Sequence, residues 1–361
     1  MLVSACFTFD VERRDKILSR YLITGASGFL GSILVNELEL LGHDLVLVDR
    51  QIKSAAESKH LAIEADLSST DSIETVVDTG PFDAIFHLAS QIDFNVQSQN
   101  DLFQNNVSST QVVTEIARLT GCRKFVFTSS NSVFLGHSGS QPIRQNDPPS
   151  PTDEYGRSKV KSEEIISSNS DAFDSIIFRC PNILDAGRVG MLSIFFDFVL
   201  EGRKCWLVGD GSSRYQSLYS RDLITAMLQS LEIKGSYTFN IGSDNVPSIF
   251  EMYQAVISRS CSKAKVGHLP SFPTIPMLKI LNRLHLSPIG PYQFRMLTAD
   301  FTFDCSYVKT VLNWRPTLDN TEMLCKAFDF YKNHKDDLDN NRSANSGKVS
   351  QGIISVLRRL S

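Results

Sequence analysis

The sequence lacks long apolar runs and any excess of one charge. No stretch of the 361 residues approaches the roughly 18 apolar residues of a membrane-spanning helix. The N-terminal segment also lacks the apolar stretch of a signal peptide. With 36 basic and 40 acidic residues, the net charge is −4, which gives no electrostatic basis for binding nucleic acid or an anionic membrane. We therefore expect a cytoplasmic protein with no integral membrane segment, in which local cations bind any anionic ligand.

A cysteine framework is also missing. The seven cysteines are scattered, odd in number and without a C-x-x-C spacing, which argues against disulfides and against a zinc site. We expect reduced thiols and no bound metal. The remaining composition, 42% hydrophobic and 21% charged, is that of a globular protein with one large α/β domain, alone or with a smaller partner.

Alternating strand and helix patterns then run along the chain. A short apolar strand at 21–24 enters a glycine-rich turn, a helical spacing of apolar residues follows, and a second strand occupies 44–50. This βαβ order favours a parallel sheet. Further buried strands are predicted at 84–90, 124–130, 175–182 and 237–242. The predicted fold is α/β: a Rossmann-type doubly wound parallel sheet with a smaller C-terminal α/β substrate domain.

The breaks in this alternation predict the domain boundaries. Residues 1–20 form an N-terminal extension, and residues 21–182 with about 215–243 form the Rossmann domain. Residues 183–214 and 244–332 form the substrate domain over the carboxyl edge of the sheet, where ligands bind in open α/β sheets. The polar tail 333–361 is expected to be disordered, with a short amphipathic ending.

The glycine-rich turn TGASGFLG indicates a dinucleotide site. Gly25 permits the tight turn, Gly28 lets backbone N–H groups approach a pyrophosphate, and Gly31 lets the helix pack close to the strand. Asp49, at the end of the second strand, can accept hydrogen bonds from ribose hydroxyls and would repel a 2′-phosphate, which favours NAD. Arg50 beside it leaves NADP open, because a guanidinium can bind that phosphate.

The segment EYGRSK supplies a candidate catalytic pair. Tyr155 and Lys159 are four residues apart, so they share one face of a helix. A nearby ammonium and an oxidised nicotinamide would favour the phenolate, and Tyr155 could then exchange a proton with a substrate hydroxyl. Ser130 ends the strand 124–130, where its hydroxyl can bond the same substrate oxygen.

With these motifs in place, the chain resembles the extended short-chain dehydrogenase/reductases, and within them the nucleotide-sugar epimerase/dehydratase group. The resemblance covers about residues 21–332 and includes ADL at 65–67, HLAS at 87–90, NNV at 105–107, FTSSNSVF at 127–134, YGRSK at 155–159 and FRCPN at 178–182. It implies that Ser130, Tyr155 and Lys159 are the catalytic residues. It also implies cofactor contacts from Phe29, Leu30, Asp66, Leu67, Leu88, Ala89, Ser90, Asn106 and Pro181, in addition to Gly25, Gly28, Gly31, Asp49, Arg50, Tyr155 and Lys159.

The resemblance also indicates a substrate. Arg214, in GDGSSR, falls where these enzymes commonly carry an arginine to the substrate diphosphate, and Asn182 matches a residue that contacts the same region. Ser130 completes the predicted substrate contacts. The small-molecule partner is therefore predicted to be a nucleoside-diphosphate sugar, although Gln216 and Ser217 depart from the usual pattern. The group also leaves room for a homodimer.

The residues after Ser130 bear on the reaction. Dehydratases and decarboxylases of the group usually carry an acidic residue two positions after the catalytic Ser or Thr, whereas here Asn131 and Ser132 follow. This favours epimerisation through a transient ketone, or oxidation and reduction with cofactor exchange. The alternative is a 3β-hydroxysteroid dehydrogenase-like reductase of a hydrophobic alcohol, with the apolar segment 275–294 lining a lipid site rather than packing as a helix. A redox-sensing NAD-binding protein without catalysis is a third, less favoured reading.

Overall fold

The computed structural model describes residues 18–52, 59–92, 99–139, 141–188, 190, 192–283, 292, 295–296 and 299–340. The predictions for residues 1–17, for 341–361 and for most of 284–294 lie outside these residues. Tyr292 is the described exception in the last of these ranges.

The strands and helices alternate through the first half of the chain, as the apolar pattern predicts. The strands are β1 (Arg20–Thr24), β2 (Asp44–Asp49), β3 (Leu61–Glu64), β4 (Ala84–His87), β5 (Lys124–Ser130), β6 (Asp174–Cys180), β7 (Asn182–Leu184), β8 (Lys204–Val208), β9 (Ser217–Tyr219), β10 (Tyr237–Asn240) and β11 (Lys265–Leu269). The helices are α1 (Phe29–Leu40), α2 (Ser72–Val77), α3 (Gln99–Leu119), α4 (Glu154–Ser167), α5 (Leu192–Leu200), α6 (Ser220–Ser230), α7 (Ile249–Arg259), α8 (Ser271–Arg283), α9 (Ser306–Val311) and α10 (Asn320–Asn340), with a 3-10 helix at Asn131–Phe134.

A seven-stranded sheet in the order β10-β6-β5-β4-β1-β2-β3 forms the centre of the molecule. Every pairing in it is parallel. The central strand β4 is buried along its whole length, as expected for a parallel strand covered by helices on both faces. The predicted doubly wound α/β fold is confirmed. Two short parallel pairs, β8 with β11 and β7 with β9, lie outside this sheet.

Three apolar clusters hold these layers together. One joins α1 and α6 to one face of the sheet, and a second joins α3 to the other face. The third lies apart from the sheet and joins α5, β8, α7 and α10. This third cluster supports a smaller C-terminal unit, although the exact domain division stays a prediction. Residues 301–314, assigned above to that unit, pack into the first cluster with the sheet because Phe301, Phe303 and Trp314 are buried there.

Two further observations concern the final helix and the apolar character of the helices. The final helix packs against α5 and α7 and is described to Asn340, with non-helical backbone angles at His334. The disorder expected for the tail 333–361 stays a prediction. Within the described residues, no helix combines the length and apolar character needed to span a membrane.

Candidate active site

The predicted site residues converge on one edge of the sheet. Because β1, β2, β4, β5 and β6 run parallel in one sheet, their carboxyl ends meet at the same edge. Asp49, His87 and Ser130 are the last residues of their strands, and the glycine turn follows β1 directly. This is the edge at which open α/β sheets bind ligands.

The glycine turn fits tightly between β1, β4 and α1. Gly25 has φ +70°, and a Cβ atom there would lie 2.7 Å from the backbone nitrogen of Ala89. A Cβ atom at Gly31 would lie 2.1 Å from the carbonyl oxygen of Gly25. Both positions therefore require glycine, for the backbone conformation at the first and for close helix packing at the second.

The amino end of α1 is suited to a pyrophosphate. Gly28 caps the helix without a side-chain hydrogen bond, and no acidic residue lies in the first turn. The backbone N–H groups of Phe29 and Leu30 therefore have no intrahelical acceptor, and they share the positive end of the helix dipole. The close-packed glycines and the uncapped helix end together fit a dinucleotide at this position.

Two carboxylates flank the expected adenosine position. Asp49 Oδ2 accepts a hydrogen bond from the backbone N–H of Ser27 at 3.0 Å, which ties β2 to the glycine turn. Hydrogen bonds from the backbone and side chain of Ser68 lower the pKa of Asp66, and the charge of Arg50 lowers it further. Arg50 itself is exposed.

The other predicted cofactor residues lie along the same edge. The backbone N–H of Ala89 donates to Thr24 Oγ1 at 3.3 Å, and Leu88 N–H donates to the carbonyl oxygen of Thr24 at 3.2 Å. Asn106, on α3, accepts from Ser90 Oγ at 3.5 Å and donates to Ser158 Oγ of α4 at 3.1 Å. These bonds join β1, the loop after β4, α3 and α4. The two buried residues Leu67 and Pro181 complete the set.

Tyr155 and Lys159 lie on the first two turns of α4. Asp153 caps this helix by accepting a hydrogen bond from Gly156 N–H at 2.7 Å. Gly156 permits a close approach, because a Cβ atom there would lie 2.5 Å from the carbonyl oxygen of Ser132. The glycine within YGRSK therefore brings α4 against the 3-10 helix that Ser130 caps.

Lys159 is a buried cation. Its Nζ donates to the carbonyl oxygen of Thr128 at 2.9 Å and lies 4.6 Å from the centroid of the Phe127 ring. Burial lowers the pKa of Lys159 to about 8, while Cys180 and Glu163 oppose the shift. The ammonium therefore carries its charge at neutral pH in an environment that disfavours it.

Tyr155 is held in its neutral form. Burial raises the pKa of Tyr155 to about 12, and a hydrogen bond with Ser90 and the charge of Arg188 act in the opposite direction. Lys159 Nζ lies 5.7 Å from the centroid of the Tyr155 ring. In this state Tyr155 can act as an acid, and further positive charge is needed before it can act as a base.

Ser130 caps the 3-10 helix beside this pair. Its Oγ accepts from Ser132 N–H at 3.1 Å and lies 3.5 Å from Asn131 Oδ1. Asn131 is 1% exposed, and its side chain is hydrogen-bonded to the phenols of Tyr215 and Tyr292. The acidic residue of dehydratases is thus replaced by a buried amide and by Ser132, which is also buried.

The sequence analysis did not select three residues that the structure places near the predicted site: Arg188, Tyr215 and Tyr292. The phenols of Tyr215 and Tyr292 are hydrogen-bonded to each other, and Tyr292 donates to Asn131 Oδ1 at 3.2 Å. Arg188 lies on the turn after β7, with its guanidinium carbon 5.4 Å from the centroid of the Phe29 ring. Arg188 lies close to FRCPN and Tyr215 directly follows GDGSSR, so both were near sequence signals, whereas Tyr292 was not.

The two predicted substrate residues beyond Ser130 have different placements. Asn182 begins β7 and is partly buried, in register with Ser217. Arg214 is exposed, and its backbone N–H donates to Asp300 Oδ1 at 2.8 Å. The pKa of Glu251 is lowered mainly by hydrogen bonds from Ser248 and to a smaller extent by the charge of Arg214. The neighbouring Tyr215 is buried and meets Tyr292. The structure therefore joins Tyr215, rather than Arg214, to the groups around Asn131.

A doubly wound parallel sheet with a dinucleotide turn and a Tyr–Lys pair at its carboxyl edge defines a class of dinucleotide-dependent enzymes. A profile of the NAD dependent epimerase/dehydratase family matches residues 21–242, and the chain belongs to this family. The resemblance drawn from the motifs is confirmed, as is the prediction of an NAD-dependent enzyme at the level of the family.

Individual relatives cover most of the chain. A UDP-glucose 4-epimerase from Mycolicibacterium smegmatis is 28% identical over 335 residues, which cover 87% of this chain and 99% of the relative. A 3-beta-hydroxysteroid dehydrogenase from Mycolicibacterium neoaurum is 28% identical over 229 residues, 60% of this chain and 61% of the relative. Among solved structures, the Bordetella bronchiseptica enzyme WbmG in complex with NAD and UDP matches with a TM-score of 0.72 at 18% identity, covering 88% of this chain and 95% of that one.

Proposed function

We propose that the protein is an NAD-dependent epimerase or oxidoreductase of a nucleoside-diphosphate sugar, with Tyr155 as the acid/base. The observation that carries the proposal is the position of Tyr155 and Lys159 at the sheet edge that also holds the glycine turn. A nicotinamide cofactor held there would supply hydride transfer from and back to a substrate carbon. Membership of the family, and the complex of the structurally similar WbmG with NAD and UDP, support both the cofactor and the class of substrate.

The cofactor is NAD rather than NADP. Asp49 accepts hydrogen bonds from the backbone N–H groups of Ser27 and Arg50, so about two of its four lone-pair positions stay available to ribose hydroxyls. Asp66 adds a second carboxylate, and its low pKa keeps it charged. A 2′-phosphate on the ribose would meet the negative charge of Asp49.

Residues of the chain transfer the proton of the substrate hydroxyl. Tyr155 begins neutral, and positive charge from Lys159 and from an oxidised cofactor stabilises the phenolate that takes the substrate hydroxyl proton. In the return direction Tyr155 gives that proton back to the carbonyl oxygen. Ser130 donates to the same oxygen, which stabilises the charge that develops on it. Lys159, which is buried and donates to the carbonyl oxygen of Thr128, supplies the positive charge.

Epimerisation or simple oxidation is favoured over elimination of water. Elimination needs a second acid/base close to the sugar, and Asn131 and Ser132 cannot ionise to provide one. An epimerase retains its cofactor through the cycle, whereas a dehydrogenase releases it. Turnover without added NAD, by protein purified with bound cofactor, would therefore identify an epimerase.

A cavity in the C-terminal half is large enough for a nucleotide. It has a volume of about 600 Å³ and is lined by the loop 208–213 with Ser271, Ile275, Ala299 and Asp300. Small-molecule sites commonly measure about 300–1,000 Å³. Arg214 borders this cavity, because its backbone N–H donates to Asp300 Oδ1. The contact between Arg214 and the substrate diphosphate stays a prediction.

The test is a thermal-shift screen of the NAD-loaded protein against UDP-, GDP-, dTDP- and CDP-sugars, with sterols and other apolar alcohols in parallel. A ligand that binds the folded state alone raises the melting temperature by mass action. A shift with one nucleotide sugar supports the proposal and identifies the base. No shift with any nucleotide sugar, but a shift with apolar alcohols, would overturn the substrate class.

The second candidate function, reduction of a hydrophobic ketone, has one specific observation in its favour besides the steroid dehydrogenase relative. On α8, Phe272, Met277 and Ile280 are 80%, 51% and 60% exposed. Exposed apolar side chains on one short helix can line a path for an apolar substrate. Leu278 of the same helix is buried, so α8 also packs as a helix on the protein.

A further inference from the structure

A buried ion pair lies one helical turn beyond Lys159. Glu163 follows Lys159 by four residues on α4, so the two side chains share the helix face that also carries Tyr155. Glu163 is 7% exposed and Arg179 of β6 is 9% exposed. The guanidinium of Arg179 donates to Glu163 Oε2 from Nη2 at 2.7 Å and to Oε1 from Nε at 3.1 Å. The wall behind the site therefore contains an ion pair that the proposed proton transfer does not use.

Strand β5 connects this pair to the candidate catalytic residues. Ser129 lies opposite Arg179 in the sheet register, and its Oγ donates to Glu163 Oε1 at 2.5 Å. The carbonyl oxygen of the preceding residue accepts from Lys159 Nζ at 2.9 Å, and the next residue along the strand is Ser130. Three successive residues of β5 thus contact the carboxylate, contact the ammonium and supply the hydroxyl for the substrate.

Glu163 is the acid that acts on the Lys159 ammonium. His87, Cys180 and Tyr155 also lie close to Lys159. Burial keeps these three groups neutral at neutral pH, because it lowers the pKa of His87 to about 3 and raises the pKa of Cys180 and of Tyr155 to about 12. Within the described part of the chain, Glu163 is therefore the one anion among these neighbours of Lys159. A nearby anion stabilises an ammonium that burial destabilises.

We propose that Glu163 is a positioning residue for the reaction, which keeps Lys159 charged and holds it against β5 beside Tyr155. The inference rests on the proposed function for the role of Lys159 itself. Arg179 is bonded to both oxygens of the Glu163 carboxylate and offsets part of its charge. The two partners of the ion pair should therefore act on Lys159 in opposite directions.

The experiment follows the titration of Lys159 by NMR in protein carrying ¹³C at the lysine ε-carbon, without cofactor or substrate. The Lys159 signal is identified by its loss in Lys159→Met, and it should titrate with a pKa of about 8 in the wild type. Glu163→Gln should lower this pKa by about 1 unit or more, the size expected for an opposite charge within about 4–6 Å. Arg179→Gln should raise it, because the charge of Glu163 is then no longer offset.

A double variant tests the same inference without leaving a buried charge unpaired. Glu163→Met combined with Arg179→Met replaces the ion pair by apolar side chains, which proteins often tolerate. It should lower the pKa of Lys159, as Glu163→Gln does. If Glu163→Gln fails to fold, this double variant decides the question.

Glu164→Gln is the matched control, because Glu164 is the next residue of α4, is exposed and pairs with the exposed Lys161. It should leave the titration of Lys159 unchanged, and thermal melts establish that each variant is folded. An unchanged pKa in Glu163→Gln and in the double variant overturns the inference. A shift in the same direction in Glu163→Gln and Arg179→Gln also overturns it, since loss of packing would act alike in both. The titration requires neither cofactor nor substrate, so its result does not depend on whether the proposed function is correct.

Discussion

Replacing Lys159 with methionine should change how stability depends on pH. Burial lowers the pKa of Lys159 from its ordinary 10.5 to about 8 in the folded protein. Between these two values the unfolded chain holds a proton that the folded protein has released. The free energy of unfolding must therefore rise with pH through the window from 8 to 10.5. At about 1.36 kcal/mol for each pKa unit, Lys159 contributes a rise of about 3 kcal/mol.

The assay is urea unfolding of cofactor-free protein, followed by circular dichroism at pH 7.5 and at pH 10. Between these two pH values, the free energy of unfolding of Lys159→Met should rise by about 2–3 kcal/mol less than that of the wild type. The comparison uses the change with pH because the variant also loses the bond from Nζ to Thr128, worth about 1–3 kcal/mol in either condition. Lys161→Met, from an exposed position on the same helix, should keep the wild-type rise. If the free energy of unfolding rises equally in Lys159→Met and in the wild type, the conclusion that burial destabilises the Lys159 ammonium is wrong.

Three other substitutions test separate parts of the site. Tyr155→Phe should lower kcat by at least about 10²-fold and leave NAD affinity unchanged, because it removes a proton-transfer group alone; normal turnover would contradict the catalytic assignment. Asp49→Ser should shift calorimetric preference towards NADP by removing a charge beside the 2′ position, and a wild type that already prefers NADP would reverse the cofactor proposal. Glu163→Gln leaves Arg179 buried without its anion and should lower the urea-unfolding free energy by about 3 kcal/mol, whereas the exposed Glu164→Gln should change little.

The sheet and its dinucleotide turn were predictable because their signals are local. The apolar runs of β1, β2, β5 and β6 stand out in the sequence, and a buried parallel strand tolerates little else. Glycine at position 31 is required by contacts within one strand-turn-helix unit, and glycine at position 25 by the positive φ of the turn itself, so their spacing carries the information. The Tyr155–Lys159 pair is likewise fixed by one helical turn. The short strand β3 and the pairs β7–β9 and β8–β11 lack such a signal.

The sequence by itself thus determined the parallel α/β fold, the turn that suits a dinucleotide and the helical face that carries Tyr155 and Lys159. The sequence motifs pointed to Arg214 and not to Arg188, and the tertiary structure alone decided the surroundings of these two arginines. It placed Arg188 over Phe29 and left Arg214 exposed while the adjacent Tyr215 is buried. Neighbouring residues of an extended segment point to opposite faces, and the packing of Tyr215 against Tyr292 selects the face. That contact joins positions 77 residues apart, so no local pattern could encode it.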